Sequence, residues 1–242
     1  MRACCNGKDG KMMKVFAING SPRKSQGKTA KILAPFLDRL HKQGAEISLH
    51  YASSMKIKPC SCGKMLCWNR TPGECIHKDD MQAVKPVLKE SQIWVLATPI
   101  YIPLPGAMQN FLNRLCPLLD PELNFRQGRT RARLREDVKL EKIVLVSTGG
   151  WWERANVDTV ERIFKHFAAV ADIPFAGAVV RPHASLMWQH NALTDDGAII
   201  VKSIQHAADE LLQEGIIRPE TQTAISAPLI SQEEFFKLWA GD

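Results

Sequence analysis

The segment INGSPRKSQGKTA, Ile18 to Ala30, gathers two serines, a threonine, an arginine and two lysines into one short stretch. Hydroxyls and cations at that density are what a phosphate needs. The segment ends in Gly-Lys-Thr and follows a short apolar run, as a Walker A loop does. That loop also requires a glycine five residues before the Gly-Lys pair. Pro22 stands at that place, and Gly20 is two residues too early. Proline cannot take the positive φ open to glycine and has no N–H for a phosphate. No acidic magnesium partner follows a later apolar run either, because WVLATP and VLVSTG end in small polar residues. The Walker reading fails. What is left is a cradle of Ser21, Arg23, Lys24, Ser25, Gln26, Gly27, Lys28 and Thr29 at the head of a helix, where free backbone N–H groups also point at an anion. A capped turn with exposed charges is the alternative.

Sulfur is the second concentration. Of seven cysteines, Cys60, Cys62, Cys67 and Cys75 crowd into CSCGKMLCWNRTPGEC, and Cys4 and Cys5 lie near the start. Without an export signal, these argue against a disulfide framework. Their spacing matches no usual zinc finger. Cys116 falls on the apolar side of a predicted helix, where an inert buried thiol is expected.

The elements that must position these groups alternate. KVFAIN (Lys14 to Asn19) reads as a strand and AEISLHY as a second. QIWVLATPI is apolar throughout, as a strand covered on both faces is, and KIVLVST and FAGAVV supply two more. Between them run helical spacings: Ile32, Leu33, Phe36, Leu37 and Leu40, then a helix from Asp79 as N-cap candidate, AMQNFLNRLC, Val157 to Val170, and GAIIVKSIQHAADELL with Asp195 or Asp196 near its cap. Pro35 should kink the first of these. Five strands alternating with helices specify a parallel sheet, since parallel neighbours need crossovers. Ligands of such sheets bind beyond the carboxyl ends of the strands. Loops leave that edge after Asn19, after Ala97 and after Ser147.

The composition bounds the rest. Of 242 residues nearly half are hydrophobic and a quarter charged, which is ordinary for a globular chain with a sizeable core. No apolar run is long enough for a membrane span. The first dozen residues lack the apolar centre of a signal peptide, so a cytoplasmic protein is expected, with residues 1–12 a frayed extension. The net charge of +7 owes much to RQGRTRARLRE, which reads as a solvated loop rather than a nucleic-acid surface. In the tail, Ser231 and Glu234 fit a capping box. Phe235, Phe236 and Trp239 there form an apolar patch that must pack on the body or on a second subunit.

GSPRKSQGKT resembles the phosphate-binding loop of the flavodoxin-like NAD(P)H-dependent FMN reductases, with one residue inserted before Gly27 and Lys28 in place of an asparagine. TPIYIPLPGAMQNFLNR is similar to that family's second loop, which lies along the flavin ring; this assigns Pro99, Ile100 and Tyr101, with Pro105 and Gly106 shaping the turn. STGGWWE resembles the third flavin-contacting loop and assigns Ser147, Thr148, Gly149, Gly150 and Trp151, with Trp152 the other candidate to flank the ring. The resemblance spans Lys14 to His183. It implies a three-layer α/β flavodoxin-like fold, a doubly wound sheet of five parallel strands with a cysteine-containing insertion and a helical tail. The expected body is 13–215 and the tail 216–242.

The cysteine segment is similar to one in the branch that includes iron–sulfur flavoproteins, where four thiolates hold a [4Fe-4S] cluster. Here the spacing is Cys-x-Cys-x4-Cys-x7-Cys, and a Cys-x-Cys pair leaves little freedom for both sulfurs to reach separate irons. A loop over the flavin or at a subunit contact is the other reading. The resemblance implies an FMN-dependent oxidoreductase that takes hydride from NADPH or NADH and reduces a quinone, a flavin or another small acceptor, as a homodimer or homotetramer. The alternative is an iron–sulfur or flavodoxin-like electron carrier. No catalytic side chain is assigned, because hydride transfer to a flavin needs proximity more than an acid or base.

Overall fold

The computed structural model describes residues 12–241, so most of the expected N-terminal extension lies outside the described residues. The chain runs β1 (Lys14–Asn19), α1 (Lys28–Lys42), β2 (Glu46–Tyr51), α2 (Leu66–Asn69), α3 (Met81–Glu90), β3 (Ile93–Pro99) and α4 (Gly106–Asn113). A hairpin follows, β4 (Leu119–Arg126) and β5 (Arg129–Leu134), then β6 (Lys142–Thr148), α5 (Asp158–Ala171) and β7 (Phe175–Arg181). A second small hairpin, β8 (Trp188–Gln189) and β9 (Ala192–Leu193), precedes α6 (Asp195–Gln213), α7 (Pro219–Ser226) and α8 (Gln232–Ala240). None of the described helices is long and apolar enough to cross a membrane.

The main sheet has five parallel strands in the order β2-β1-β3-β6-β7. This is the doubly wound, flavodoxin-like arrangement, with its change of direction between β1 and β3. Side chains alternate across β1, β3 and β6, as the period of two requires, and an irregularity between β6 and β7 shifts the alternation after Ala176. Val15, Ala17, Val95, Ala97, Val144 and Val146 join the core under α1, α6 and α7. Phe16, Ile18, Trp94, Leu96, Ile143 and Leu145 join the core under α3, α4 and α5. Strands β1, β3, β6 and β7 read as apolar runs because both faces are covered, whereas the edge strand β2 carries Glu46, Ser48 and His50 and is only half-buried.

Three expectations are corrected. The arginine-rich stretch is not a plain loop: Arg126 to Leu134 belongs to the β4–β5 hairpin, antiparallel and packed beside α5 through Ala132 and Ala171. Arg126 donates to the Ala132 carbonyl there, so part of the charge is structural. Helix α1 runs unbroken through Pro35, whose ring lies on the half-exposed side while Phe36 and Leu37 anchor the helix to the core. Asp195 and Asp196 lie in the first turn of α6, near its cap as expected, and the cap itself is Thr194, which accepts from Gly197 N–H at 3.0 Å. Helix α4 ends at Asn113, so Cys116 sits in the short turn beyond it. The capping box at Ser231 and Glu234 forms as expected.

Phe111 of α4 is fully buried, stacked on Phe16 at 5.8 Å, with Trp94 edge-on to Phe16 at 6.3 Å. Phe111→Ala is expected to cost about 3–5 kcal/mol, the range for an aromatic deleted from a packed core. Urea denaturation checks this, and a midpoint equal to wild type would show that the α4 face is not packed as described.

Candidate functional site

Register decides where the loops meet. Asn19 pairs with Ala97, Thr98 with Ser147 and Pro99 with Thr148, so β1, β3 and β6 end level. Hydrogen bonds then tie the loops together. Gly20 N–H donates to the Ala97 carbonyl at 2.7 Å, Ile100 N–H to the Thr148 carbonyl at 3.0 Å, and the Ser147 hydroxyl to the Thr98 carbonyl at 2.9 Å. Thr29 of α1 and Thr148 share a buried hydroxyl–hydroxyl bond of 2.8 Å. The three segments singled out in the sequence therefore form one edge.

The first loop is a cradle under strain of charge. No side chain caps the first turn of α1, and no acidic residue lies in it. Burial, then the neighbouring Lys31 and Arg23, push the Lys28 ammonium below its ordinary pKa. Among the described residues, Lys28 and Lys31 find the face of Trp188, at 4.7 and 5.0 Å from the ring centre, and no carboxylate. An anion in this loop would relieve that repulsion. Gly27 leaves room for it: a Cβ there would stand 2.7 Å from the Ser21 hydroxyl. Beside the loop, buried Asn19 uses its Oδ1 to accept Ser21 N–H, while its Nδ2 has no partner. A flavin phosphate and polar ring edge fit an open cationic cradle with a spare buried donor. Arg23, Ser25 and Gln26 are exposed at its mouth, whereas Thr29 is buried against Thr148 and faces the end of β6 rather than solvent.

The second and third loops touch, since a Cβ on Gly149 would meet Ile100 at 3.8 Å. Gly150, Tyr101 and Trp151 are exposed beside them. Trp152 is taken up elsewhere: its indole N–H donates to the Ile230 carbonyl at 2.9 Å, which leaves Trp151 as the tryptophan free to meet a ligand.

Behind the third loop lies a hub that the sequence reading missed. His183 is fully buried. Its backbone N–H donates to the Trp151 carbonyl at 2.9 Å, and its ring Nδ1 bonds the Trp152 carbonyl at 3.2 Å. Since a carbonyl only accepts, Nδ1 carries the proton, and Nε2 accepts from Leu229 N–H and from Arg181. Burial, reinforced by Arg181, lowers the His183 pKa to about 4. Arg181, also fully buried and lowered to about 10 by burial, spends its other donors on the carbonyls of Pro182, Ile225 and Ala227. These last two close α7, where the helix dipole welcomes a cation.

The cysteines converge, but not at this edge. Cys60, Cys62, Cys67, Cys75 and also Cys116 line a cavity of about 10 Å³. That is room for roughly one water. Backbone N–H groups, first that of Leu66, lower the Cys62 pKa, while burial and then Cys67 push Cys116 up to about 12. The thiols suit iron chemically, yet the space does not fit a four-iron cluster. Among the described residues no three His, Cys, Asp or Glu side chains stand ready round one ion. Arg114 braces the segment through Asp79, at 2.6 and 3.0 Å, and the Lys58 carbonyl. Burial alone would raise the Asp79 pKa, but these bonds hold it low. A larger cavity of about 300 Å³ beside Cys75, His77, Lys85 and Arg114 belongs to this region and not to the three-loop edge.

Residues 13–186 match the family described as NADPH-dependent FMN reductase. An iron–sulfur flavoprotein of Archaeoglobus fulgidus is 37% identical over 107 residues, 43% of this chain and 46% of that protein. One of Methanocaldococcus jannaschii is 34% identical over 123 residues, 48% and 58% of the two chains. The alignments thus span about half the length of these curated relatives. An FMN-dependent NADH-azoreductase from Bacillus anthracis, solved with FMN, has a TM-score of 0.57 at 12% identity, covering 84% of this chain and 100% of that one. An NAD(P)H:quinone oxidoreductase from Methanothermobacter marburgensis also scores 0.57 at 12% identity, covering 83% and 98%. At such identity the likeness is one of fold.

The matched residues end just beyond His183, so the segment that His183 holds from 229 onward lies outside them. His183 folds neutral, whereas in the unfolded chain it gains a proton as pH falls through 6.5. Stability should therefore drop by about 3 kcal/mol between pH 6.5 and 4 on this account alone. His183→Gln does not titrate and is expected to lose that part of the slope. Urea midpoints measured across the range check it, and parallel slopes for the two proteins would refute it.

Proposed function

The chain belongs to the NADPH-dependent FMN reductase family, and from that premise we propose that it is an FMN-dependent oxidoreductase that uses NADPH or NADH to reduce a quinone, a flavin or another small acceptor. The observation that carries this reading is the coincidence, at one sheet edge, of an uncompensated cationic cradle, a spare buried Asn19 donor and two linked loops with open glycines. When bound, FMN supplies hydride acceptance from a reduced nicotinamide and its onward delivery.

The chain's own residues hold and orient. Arg23 and Lys28, with the first-turn N–H groups of α1, offset phosphate charge, and Ser21, Ser25 and Gln26 add donors around Gly27. Thr29 acts one step back, locking the cradle to Thr148. Pro99, Ile100 and Tyr101 line one side of the ring. Ser147, Thr148, Gly149, Gly150 and Trp151 line the other, where the glycines permit close backbone approach. No side chain needs to exchange a proton for the hydride step; geometry supplies the rate. In this reading the body runs 13–215 and the tail 216–242, and the protein is a cytoplasmic homodimer or homotetramer. Sedimentation velocity tests the oligomer. The convergence of five cysteines favours a second reading, an iron–sulfur electron carrier, but their small cavity opposes it.

Visible spectra of protein purified without oxygen test the two. Paired flavin bands that bleach on NADPH are expected. A broad brown shoulder with matching iron and sulfide would shift the assignment to the carrier, and a colourless chain that takes up no FMN would overturn both. Arg23→Ala with Lys28→Ala is expected to weaken FMN binding by roughly tenfold or more, since two charge-assisted contacts are removed from an accessible loop. Unchanged affinity in an FMN titration would move the phosphate elsewhere.

A further inference from the structure

The segment beyond α7 is fastened to the third loop by specific bonds. Trp152 donates to the Ile230 carbonyl, Gln232 to Glu153 at 3.2 Å, and Leu229 N–H to His183. These set α8 so that the ring of Trp239 lies 5.4 Å from that of Trp151, at 51°. Phe235 backs it, stacked on Trp239 at 6.1 Å and 15°, and is itself buried against His183. The indole is thus held from behind, yet Trp239 is 66% exposed and Trp151 52% exposed. Two tryptophans left open together are costly in water unless something flat covers them.

We propose that Trp239 and Trp151 form the wall of the acceptor subsite, a platform for an uncharged planar ring. This rests on the reading of the third loop as a flavin loop. Charge selects the occupant. Glu153 stands two residues from Trp151 and is bound by Gln232, Glu234 lies with Glu233 in the first turn of α8, and Lys237 is paired with Glu233, so the side chains named at this wall leave an acidic excess. That rim repels the phosphates of a dinucleotide, whereas the cations that would attract them lie on the first loop. A neutral ring gains stacking and meets no electrostatic penalty. Helix α8 lies beyond the residues matched to the family, and in this proposal the wall it builds helps determine which acceptors the chain takes.

The test uses the FMN-loaded full chain, with 1,4-naphthoquinone as the planar probe and ferricyanide as a charged acceptor with no ring. Trp239→Ala is expected to raise the KM for naphthoquinone relative to that for ferricyanide by roughly three- to tenfold, the worth of one aromatic contact. Trp239→Phe should recover most of the difference. Equilibrium dialysis of naphthoquinone gives the same comparison without turnover. A wild-type chain inactive with NAD(P)H would therefore overturn the proposed function while dialysis still decides this inference. Equal losses with both acceptors, or unchanged naphthoquinone binding by Trp239→Ala, would overturn it. So would a fall in oligomeric state of that variant, which would give the face to a subunit contact.

Discussion

A parallel sheet forces its strand ends into line, and in this protein that alignment is closed by hydrogen bonds between loops rather than by the sheet alone. Thr148 is the meeting point. Its carbonyl accepts Ile100 N–H from the second loop, and its hydroxyl meets Thr29 of the first helix. The Ser147 hydroxyl, one residue before, reaches the Thr98 carbonyl. Each of these groups is buried, so leaving one unpaired would cost more than the bond itself is worth. The three loops therefore hold one another at fixed spacing, and whatever binds among them meets a rigid floor with mobile-length side chains only at its rim.

The same economy governs the far side of the third loop. Arg181 is a buried cation with no carboxylate opposite it among the described residues. Carbonyls of Pro182, Ile225 and Ala227 carry the compensation, which spreads the charge over a helix end instead of an ion pair. A buried ion without such partners would be strongly disfavoured. His183 can then stay neutral and serve as a two-ended connector between the loop and the chain after α7. The result couples the conformation of residues 151–152 to the docking of the tail, and α8 inherits its place from that coupling.

Charge separates the two polar regions of the molecule. Around the cysteines, the charge of Arg114 is balanced by Asp79, although its buried Nε has no partner among the described residues. At the first loop, Arg23, Lys28 and Lys31 are like-charged neighbours, and among the described residues Lys28 and Lys31 share the face of Trp188 and no carboxylate. An unbalanced cluster is a binding site in waiting in a way that a balanced one is not.

The sequence by itself determined the sheet, its parallel strands, the three loops and their order, because each rests on local signals: unbroken apolar runs, helical spacing, and Gly-Ser-Pro-Arg before a helix. The failure of the Walker motif at Pro22 was equally legible, being a matter of one residue's φ and missing N–H. Tertiary structure alone decided the rest. Pro35 does not interrupt α1, where Phe36 and Leu37 anchor the helix to the core despite one lost hydrogen bond. Thr29 bonds Thr148 and Trp152 bonds Ile230, which no local signal could show, because these partners stand 119 and 78 residues away. Cys116 joins cysteines from which no spacing rule could link it. His183 and Trp188 carry no motif, so nothing local marks them. Their roles come from contacts between segments distant in the chain, and only the closed fold brings those segments within reach.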